Sequence, residues 1–475
     1  MSENAMNENK LETYIAGLVQ NARAAQAIIG EYTQEQVDKL TAMLAYEMTR
    51  PAIKDELAKL ALEETELGDY DSKIGKIDGK VKGVFYEIKN EKTVGVVEEI
   101  PERGLRRIAK PVGVIGALIP STQPEMIPIT TALFCMKSRN AVIFAPHPRG
   151  KRTTNRVTEI MRGLLKTHGV PEDMLQCIPA DQLSVAMTGE LMRQSDLIMA
   201  TGGAGMVKAA YSSGRPAYGV GAGNAIMCVD DTADLKDMAH KVMLSKTTDL
   251  AAGCSCDNAL VIFDSVYDQA IEALKAEGAY LCTPEEHDKI QHAIFPEWPA
   301  NHNINRDIVA KPIDVIAKIA GITIPEGTKF ILVEETGSGV DYPLSGEKMC
   351  MVATVYRCKD IDGAIARVNA NHAYSGAGHS CGIYSKNQEN VVKYALSTHT
   401  VRVNNNLPNG LTNTGAWFAG YPFSPSLGCG TWGGNICSKN VTLEYYMNTT
   451  WIATEIDRKA PTEEELFGDT GVMHQ

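Results

Sequence analysis

The sequence predicts an α/β protein with doubly wound, mostly parallel sheets, and three observations support this prediction. Short apolar runs alternate with helical patterns between residues 113 and 205. The same alternation resumes after Cys254. A two-stranded ribbon pattern precedes the first series and stands apart from it. Alternating strands and helices are typical of parallel sheets that carry helices on both faces.

The chain opens with amphipathic helices. Apolar residues recur at helical spacing from Leu11 to Ile29, and Gly30 is placed to end that helix. Thr33 and Gln36 have the spacing of a capping box, which predicts the start of a second helix. A further helix is predicted over 54–66. We expect these helices to pack on the fold and to carry no chemistry.

A ribbon follows the helices. Residues 93–100 and 105–109 have strand patterns, and a turn sequence separates them. Residues 441–447 predict a late strand. Because an isolated two-stranded ribbon cannot bury itself, we expect it to pack on another part of the fold or on another subunit.

Three loops stand at the ends of predicted buried strands. The strand over 113–119 runs into Pro120, the strand over 141–145 into Pro146, and the strand over 197–200 into Thr201. Ligands of doubly wound sheets bind beyond the carboxyl ends of the strands. The sequence therefore predicts that these three loops border a ligand site.

Composition narrows the function classes. The 475 residues include 46 Lys and Arg against 58 Asp and Glu, and the net charge is −12. This balance argues against nucleic acid and against an anionic membrane as partners. The chain has eleven cysteines, no apolar signal region at its start and no apolar run long enough to span a bilayer. We expect a reducing, cytoplasmic setting.

Cys254 is the candidate nucleophile. Small residues precede it (Ala251-Ala252-Gly253) and an apolar run follows at 259–263. Small neighbours leave the sulfur accessible and free backbone N–H groups that can stabilise an oxyanion. The alternative interpretation is a packed core thiol, because free cysteine is among the most buried residue types.

Two further patterns suggest ligands. The Gly-rich stretch at 201–205 opens a helix, which suits a phosphate or a bound cofactor, although it lacks the G-x-G-x-x-G spacing. Arg149, Lys151 and Arg152 follow a strand end and are either phosphate ligands or a solvated basic loop. The Cys and His spacings fit no structural zinc pattern, so no metal is predicted.

Taken together, the loops resemble those of the CoA-acylating aldehyde dehydrogenases over nearly the whole chain. The similarity is strongest to the aldehyde dehydrogenase half of bifunctional aldehyde–alcohol dehydrogenases and to CoA-dependent succinate semialdehyde dehydrogenases. The matching motifs are PHPR at 146–149, ATGGAGMVK at 200–208, AAYSSGRPA at 209–217, GVGAGN at 219–224, the Cys254 stretch, EKM at 347–349, GAGH at 376–379 and LGCGTWGGN at 427–435.

The resemblance implies an aldehyde dehydrogenase-like fold of two doubly wound α/β domains and a small β-ribbon oligomerisation domain. The implied division is an NAD(P)-binding domain at 1–92 and 114–221, a catalytic domain at 222–438, an oligomerisation ribbon at 93–113 and 439–458, and a surface tail at 459–475. It also implies a homodimer or a homotetramer.

The resemblance assigns roles to residues. Cys254 would attack a short-chain aldehyde, NAD or NADP would accept hydride, and coenzyme A would take the acyl group, with His379 near the acyl-transfer site. The implied catalytic residues are Cys254, His379 and Thr122. The implied cofactor-binding residues are Pro120, Ser121, His147, Pro148, Arg149, Thr201, Gly202, Gly203, Val207, Gly219, Val220, Gly221, Glu347 and Met349, with Glu347 on the nicotinamide ribose.

Departures from the family pattern leave alternatives open. Gly219 stands where hydrolytic aldehyde dehydrogenases carry a general-base Glu, so we expect CoA as acceptor and room for its pantetheine arm. A hydrolytic enzyme that uses Asp257 instead is the alternative, and a catalytically silent nucleotide-binding protein is a third hypothesis. The substrate is expected to be acetaldehyde-like or a small anionic aldehyde, whose acid group Arg402 and the polar run at 404–406 could receive.

Overall fold

The structure is a computed structural model that describes residues 3–470. Its helices are α1 (Glu3–Gly30), α2 (Gln34–Met48), α3 (Pro51–Thr65), α4 (Tyr70–Ile88), α5 (Ile127–Lys137), α6 (Lys151–Thr167), α7 (Val185–Gln194), α8 (Ala204–Tyr211), α9 (Leu235–Thr247), α10 (Tyr267–Ala276), α11 (Pro284–Ile294), α12 (Ile313–Ala320), α13 (Ile361–Tyr374), α14 (Gln388–Ser397), α15 (Asn409–Thr412) and α16 (Glu463–Phe467). Its strands are β1 (Gly95–Ile100), β2 (Leu105–Pro111), β3 (Val114–Leu118), β4 (Ala141–Ala145), β5 (Leu175–Cys177), β6 (Leu197–Thr201), β7 (Ala217–Val220), β8 (Ala225–Val229), β9 (Asp257–Phe263), β10 (Ala279–Leu281), β11 (Phe330–Glu334), β12 (Val352–Cys358), β13 (Cys381–Tyr384), β14 (Val403–Asn405) and β15 (Met447–Ala453).

Two parallel sheets form the centre of the molecule, which confirms the predicted fold class. The first has five strands in the order β5-β4-β3-β6-β7, and the second has seven in the order β10-β11-β12-β9-β8-β13-β14. Every residue of β3, β4, β8 and β9 is buried. Uninterrupted apolar runs such as Ala141–Ala145 form strands of this kind because helices cover both faces of a parallel sheet. The chain passes from one sheet to the other over residues 221–224, and the predicted domain boundaries stay a prediction.

The third sheet is antiparallel and exposed. β1 pairs with β2, as the ribbon pattern predicted, and β15 pairs with the other edge of β2. The late strand was predicted over 441–447, but it begins only at Met447. Leu443 and Tyr446 lie instead in a short 3₁₀ turn, and their side chains are buried. The Tyr446 ring stacks on the Phe134 ring of α5, with 5.0 Å between the ring centres, and this packing holds the turn against the helix.

Helix α4 had no counterpart in the sequence analysis. Asp69 caps it by accepting a hydrogen bond from the Ser72 N–H at 2.8 Å. Its glycines at 75, 79 and 83 weaken the helical pattern, because glycine is a poor helix former. Gly83 has a packing reason: a Cβ there would lie 2.1 Å from the Phe423 ring. The missing side chain at Gly83 lets α4 approach Phe423 closely, whereas a Cβ at Gly75 or Gly79 would meet nothing within 4 Å.

The chain ends are peripheral. α1 begins at Glu3, eight residues before the predicted start. The predicted tail at 459–475 is exposed almost throughout as far as Thr470 and contains α16, and its last five residues lie outside the described part. Among the described residues, no helix has both the length and the apolar character needed to cross a bilayer.

Candidate active site

A cavity of about 300 Å³ lies between the two parallel sheets, and we call it the central cleft. The predicted site residues on its walls are Pro120, Ser121, Thr122, His147, Thr201, Gly202, Gly203, Val220, Gly221, Cys254, Glu347 and Met349. The loops after β3, β4 and β6 therefore meet at the cleft, as their positions at strand ends predicted. The remaining predicted residues, Pro148, Arg149, Val207, Gly219 and His379, do not line it directly.

Cys254 is presented by a strained turn. Asp249, Leu250 and Ala251 all have left-handed backbone conformations, with φ of 49°, 51° and 62°. Each such non-glycine residue costs of order 1 kcal/mol, so the surrounding structure must hold the turn in place. The buried Asp249 carboxylate does so by accepting a hydrogen bond from the Asp69 N–H at 3.1 Å and by pairing with Lys76 of α4.

The closest polar partner of the Cys254 sulfur is an imidazole. His379 Nε2 lies 3.1 Å from Cys254 Sγ, and its Nδ1 lies 2.9 Å from Ser380 Oγ. If Nδ1–H donates to Ser380, Nε2 is free to accept from the thiol. The sequence placed His379 near the reaction centre, and the structure brings its ring to the nucleophile itself although the residues are 125 positions apart.

Both members of this pair are neutral at rest. Burial raises the pKa of the Cys254 thiol to about 12, and the nearby Glu347 carboxylate adds to the rise. Burial, followed by Arg402 and His372, lowers the pKa of His379 to about 3. At neutral pH the free site therefore holds an uncharged thiol and an uncharged imidazole, with Nε2 within hydrogen-bond reach of the sulfur.

Cys256 also reaches the central cleft, but its surroundings differ. It is buried, and its thiol donates to the Thr248 carbonyl at 3.9 Å. Burial raises its pKa to about 11. Because His379 contacts Cys254 and the described residues give Cys256 no comparable base, the geometry favours Cys254 as the nucleophile.

Glu347 lies on the cleft wall close to the nucleophile. Its Oε1 accepts a hydrogen bond from the Gly223 N–H at 3.2 Å. Burial raises its pKa to about 7, although that hydrogen bond and the buried Lys246 oppose the rise. Glu347, Lys246 and Cys254 share a small cavity of about 10 Å³. The second carboxylate oxygen remains available to a hydroxyl group in the cleft.

The loop at 201–203 fits a phosphate group. Gly203 precedes α8 without a side-chain cap, so backbone N–H groups at the start of that helix lack a side-chain partner. Gly202 and Gly203 both line the central cleft. Helix N-termini with open N–H groups bind anions, and glycine lets a ligand approach the backbone. This donor set and Glu347 suit the phosphate and ribose of a dinucleotide.

Arg149 is held within the protein. Its guanidinium donates to the Thr65 carbonyl at 2.8 Å, and its N–H donates to His147 Nδ1 at 3.1 Å. Arg152 pairs with Glu63 at 3.0 Å. The basic loop therefore ties α3 to α6, and contact of Arg149 and Pro148 with a cofactor stays a prediction.

Packing against Val207 and Tyr211 favours glycine at position 219. A Cβ at this position would lie 2.5 Å from Val207 Cγ1 and 2.9 Å from the Tyr211 ring, so a side chain there would have to displace one of these residues. The expectation that Gly219 leaves room for a pantetheine arm is wrong, because Val207 and Tyr211 already fill that space. Both residues support the site from behind β7.

The predicted acid-binding residues do not reach the cleft. Arg402 is buried and donates to the Gly428 carbonyl at 2.8 Å and to Asn440 Oδ1 at 3.3 Å. Asn404 donates to the Asn409 and Asn413 side chains, and none of residues 404–406 lines the cleft. Arg402 and Asn404 thus donate to groups of the interior, whereas Arg402 Nε, Asn404 Oδ1 and Asn405 Oδ1 are buried without a hydrogen-bond partner among the described residues. The sequence pattern alone did not distinguish such interior polar groups from a ligand site.

Two lysines of α4 line the cleft instead, and sequence reasoning missed them. Lys76 and Lys80 follow Lys73 at spacings of three and four residues, which places all three on one face of a helix. The spacing could have predicted this shared face from the sequence, but only if residues 70–88 had been recognised as a helix.

Comparisons with known proteins agree with this geometry. A family profile described as "Aldehyde dehydrogenase family" matches residues 8–291. The chain is 40% identical to a sulfoacetaldehyde dehydrogenase (acylating) of Bilophila wadsworthia over 449 residues, which covers 94% of this chain and 96% of that protein. It is 38% identical to a succinate-semialdehyde dehydrogenase (acetylating) of Clostridium kluyveri over 460 residues, covering 96% and 99%. A crystal structure of an acetylating aldehyde dehydrogenase from Geobacillus thermoglucosidasius superposes with a TM-score of 0.90 at 34% identity, over 96% of this chain and 99% of that one.

The raised pKa of Cys254 predicts how the free enzyme reacts with iodoacetamide. Only the thiolate is alkylated, so labelling of Cys254 should accelerate about tenfold per pH unit from pH 8 to 10, where Glu347 is already ionised. Mass spectrometry of the labelled peptide measures the rate. Cys256→Ser should keep this behaviour and Cys254→Ser should lose it. A pH-independent rate, or labelling at Cys256, would contradict the assignment.

Proposed function

The chain belongs to the aldehyde dehydrogenase family and is a CoA-acylating, NAD(P)-dependent member of it, and from that premise we propose residue roles for the reaction. Cys254 is the nucleophile and His379 its base. The observation that carries this assignment is the 3.1 Å contact between His379 Nε2 and Cys254 Sγ at the central cleft. Named relatives carry out the acylating reaction, and the geometry supplies the groups that it needs.

The first step forms a bond between Cys254 Sγ and the aldehyde carbon. As the bond forms, the thiol proton passes to His379 Nε2 and negative charge develops on the aldehyde oxygen. A neutral imidazole accepts that proton directly, so no free thiolate needs to exist beforehand. Thr122 and backbone N–H groups around Cys254 would hold the oxygen of this thiohemiacetal.

The second step removes hydride from the thiohemiacetal carbon. Bound NAD(P)⁺ supplies the hydride acceptor. Glu347 would hold the nicotinamide ribose through its uncommitted oxygen, and the N–H groups after Gly203 would hold the pyrophosphate. A carboxylate that fixes the ribose keeps the cofactor within reach of Cys254. Loss of hydride leaves an acyl thioester on Cys254.

The third step transfers the acyl group to coenzyme A. His379 first releases to solvent the proton that it took from Cys254, and this is the one proton of the overall reaction. The CoA sulfur then attacks the thioester carbon, its proton passes to His379, and Cys254 leaves as thiolate and takes that proton back. The sum is aldehyde, NAD(P)⁺ and CoA going to acyl-CoA, NAD(P)H and one proton. A thiol with a pKa near 8.5 needs far less activation than water, whose pKa is about 16.

The structure disfavours the hydrolytic alternative in two ways. Position 219 is glycine and supplies no carboxylate, and a side chain there would have to displace Val207 or Tyr211. Asp257 is fully buried at the start of β9 and does not line the central cleft. Burial raises its pKa to about 7, but a base that cannot reach the thioester cannot activate water there.

We propose a small, short-chain aldehyde as substrate and favour one that carries an acid group over one that resembles acetaldehyde. Two similar relatives are named for sulfoacetaldehyde and for succinate semialdehyde. Both compounds are short aldehydes with one terminal acid group. We also place the protein in the cytoplasm: all eleven cysteines are free, as expected in a reducing setting.

A homo-oligomer, dimer or tetramer, is part of the proposal. Trp451 and Ile452 are neighbours on β15 and therefore point to opposite faces of the ribbon sheet, and they are 48% and 42% exposed. A three-stranded sheet with apolar residues open on both faces is typical of a surface that another subunit covers.

Product analysis tests the acceptor. With a reactive short aldehyde and NAD(P)⁺, we expect acyl-CoA when CoA is present and free acid at least about 100-fold more slowly without it, because water, with a pKa of about 16, is far harder to activate than a thiol with a pKa near 8.5. Cys254→Ala should abolish NAD(P)H formation, while its matched control Cys256→Ser should keep substantial turnover. Rapid, steady release of free acid without CoA would overturn the acylating assignment.

Glu347→Gln should slow the hydride step about 10- to 100-fold or weaken NAD(P) binding, because a neutral amide holds the ribose hydroxyls less firmly. Single-turnover NAD(P)H formation measures this step. In the native enzyme the step should speed up as pH rises through about 7, where Glu347 ionises, and the variant should lack that rise. Exchange of acyl groups with CoA should persist, and its loss in parallel would point to another role.

Analytical ultracentrifugation tests the oligomer. At micromolar concentration we expect a mass at least twice that of the 51.5 kDa chain. Trp451→Lys should shift the equilibrium toward smaller species, because a charge there opposes burial of the ribbon. Sedimentation of the native protein purely as a monomer would remove the claim.

A further inference from the structure

A charged cluster lies beneath one wall of the central cleft. Lys73 is fully buried, and its Nζ lies 3.5 Å from Glu125 Oε1 and 3.6 Å from Asp249 Oδ2. Lys76 pairs with the same Asp249 oxygen. Each of these lysines therefore has a carboxylate within 4 Å, although Glu125 accepts no hydrogen bond from the described residues and burial raises its pKa. Buried charges are tolerated when they are paired in this way.

Lys80 lies one helical turn further along α4 and is not balanced. Its Nζ donates to the Gly415 carbonyl at 2.6 Å and lies 5.6 Å from the centre of the Phe423 ring. None of the carboxylates in residues 3–470 forms an ion pair with it. Lys80 and Lys76 both line the central cleft, so the cleft carries one cation in excess of its carboxylates on this wall.

The rest of this part of the cleft is apolar or uncharged. Met126, Ile127, Leu411 and Leu427 line it together with Thr414. An ammonium group in such surroundings has donors left over after its single carbonyl contact, and an anion satisfies them best. The wall therefore combines a narrow apolar space with one point of positive charge.

We propose that Lys80, supported by Lys76, is an anion-binding subsite that selects aldehydes carrying one carboxylate or sulfonate group. The subsite lies in the same cleft as Cys254, so an aldehyde held by its acid group extends its carbonyl toward the nucleophile. This inference rests on the proposed function and adds the specificity-determining residue. A single excess charge suits a monoanion better than a dianionic phosphate.

The charge on Lys80 also makes binding depend on pH. Burial, followed by the neighbouring Lys76, lowers the pKa of Lys80 to about 8. The charged groups packed nearby are Lys76 and Lys73 on α4, Glu125 before α5, and Asp249 in the turn before Cys254. Above about pH 8 Lys80 loses its proton, so affinity for an anionic aldehyde should fall as pH rises. Affinity for a neutral aldehyde should not fall in the same way.

Substitution of Lys80 tests the proposal. For native enzyme we compare kcat/KM for sulfoacetaldehyde and for succinate semialdehyde, each measured separately, with kcat/KM for butanal, using NAD(P)⁺ and CoA. In Lys80→Met the ratio of anionic to neutral kcat/KM should fall about 10- to 100-fold, mainly through KM of the anionic aldehyde. Lys80→Arg should recover part of the ratio because it keeps the charge.

Lys82→Met is the matched control, since Lys82 is on the same helix, 54% exposed and paired with Asp78. It should leave the ratio unchanged. An unchanged ratio in Lys80→Met, or a parallel loss with all aldehydes, would overturn the proposal. Native enzyme that prefers butanal would overturn it as well.

A binding measurement needs neither turnover nor a folded variant. Ethanesulfonate and propionate, titrated calorimetrically into native enzyme, should bind more tightly than propionamide, and the advantage should fade as pH rises from 7 to 9. Equal affinity for acid and amide would overturn the subsite. If anions bind but no aldehyde yields NAD(P)H with CoA, the proposed reaction is wrong and the subsite stands.

Discussion

The active site depends on the contacts that the Asp249 carboxylate makes. It receives the Asp69 N–H and the Lys76 ammonium, and Lys73 lies 3.6 Å away. Through these contacts one side chain of the nucleophile turn joins α4 to β9. The turn contains three consecutive left-handed residues without glycine, an arrangement that persists only where neighbours determine it. The position of Cys254 is thus a result of packing around Asp249.

The same contacts explain how a buried site handles charge. Lys73, Lys76, Asp249 and Glu125 lie together beneath the cleft wall, while the reacting pair, Cys254 and His379, is kept neutral by burial. Negative charge then develops at the Cys254 sulfur only when an aldehyde is present, and it passes to the aldehyde oxygen as the carbon–sulfur bond forms. Glu347, with a pKa near 7, also lies beside the nucleophile, and its raised pKa reflects the same dry surroundings.

Local sequence signals predicted much of this structure. Apolar alternation identified the buried strands, and the small residues around Cys254 together with motif likeness identified the nucleophile, Glu347 and the loops at the cleft. Contacts between distant residues had no such signal: nothing local shows that His379 reaches Cys254 or that β9 lies between β8 and β12. Leu250 and Ala251 are not residues that indicate a left-handed backbone. The glycines of α4 hid a helix, and the polar run at 404–406 imitated a binding site because interior amides that bond to one another look like ligand-binding residues.

The neutral state of the Cys254–His379 pair has a chemical consequence for an enzyme with an open cleft. Peroxides oxidise cysteine as the thiolate, and a thiol whose pKa is raised to about 12 presents almost none of that form at rest. Sulfur with thiolate character forms only when the aldehyde is present, and it reacts in the same step, because the thiol proton leaves as the carbon–sulfur bond forms. Burial therefore gives the nucleophile protection from oxidants between turnovers without a separate reducing partner.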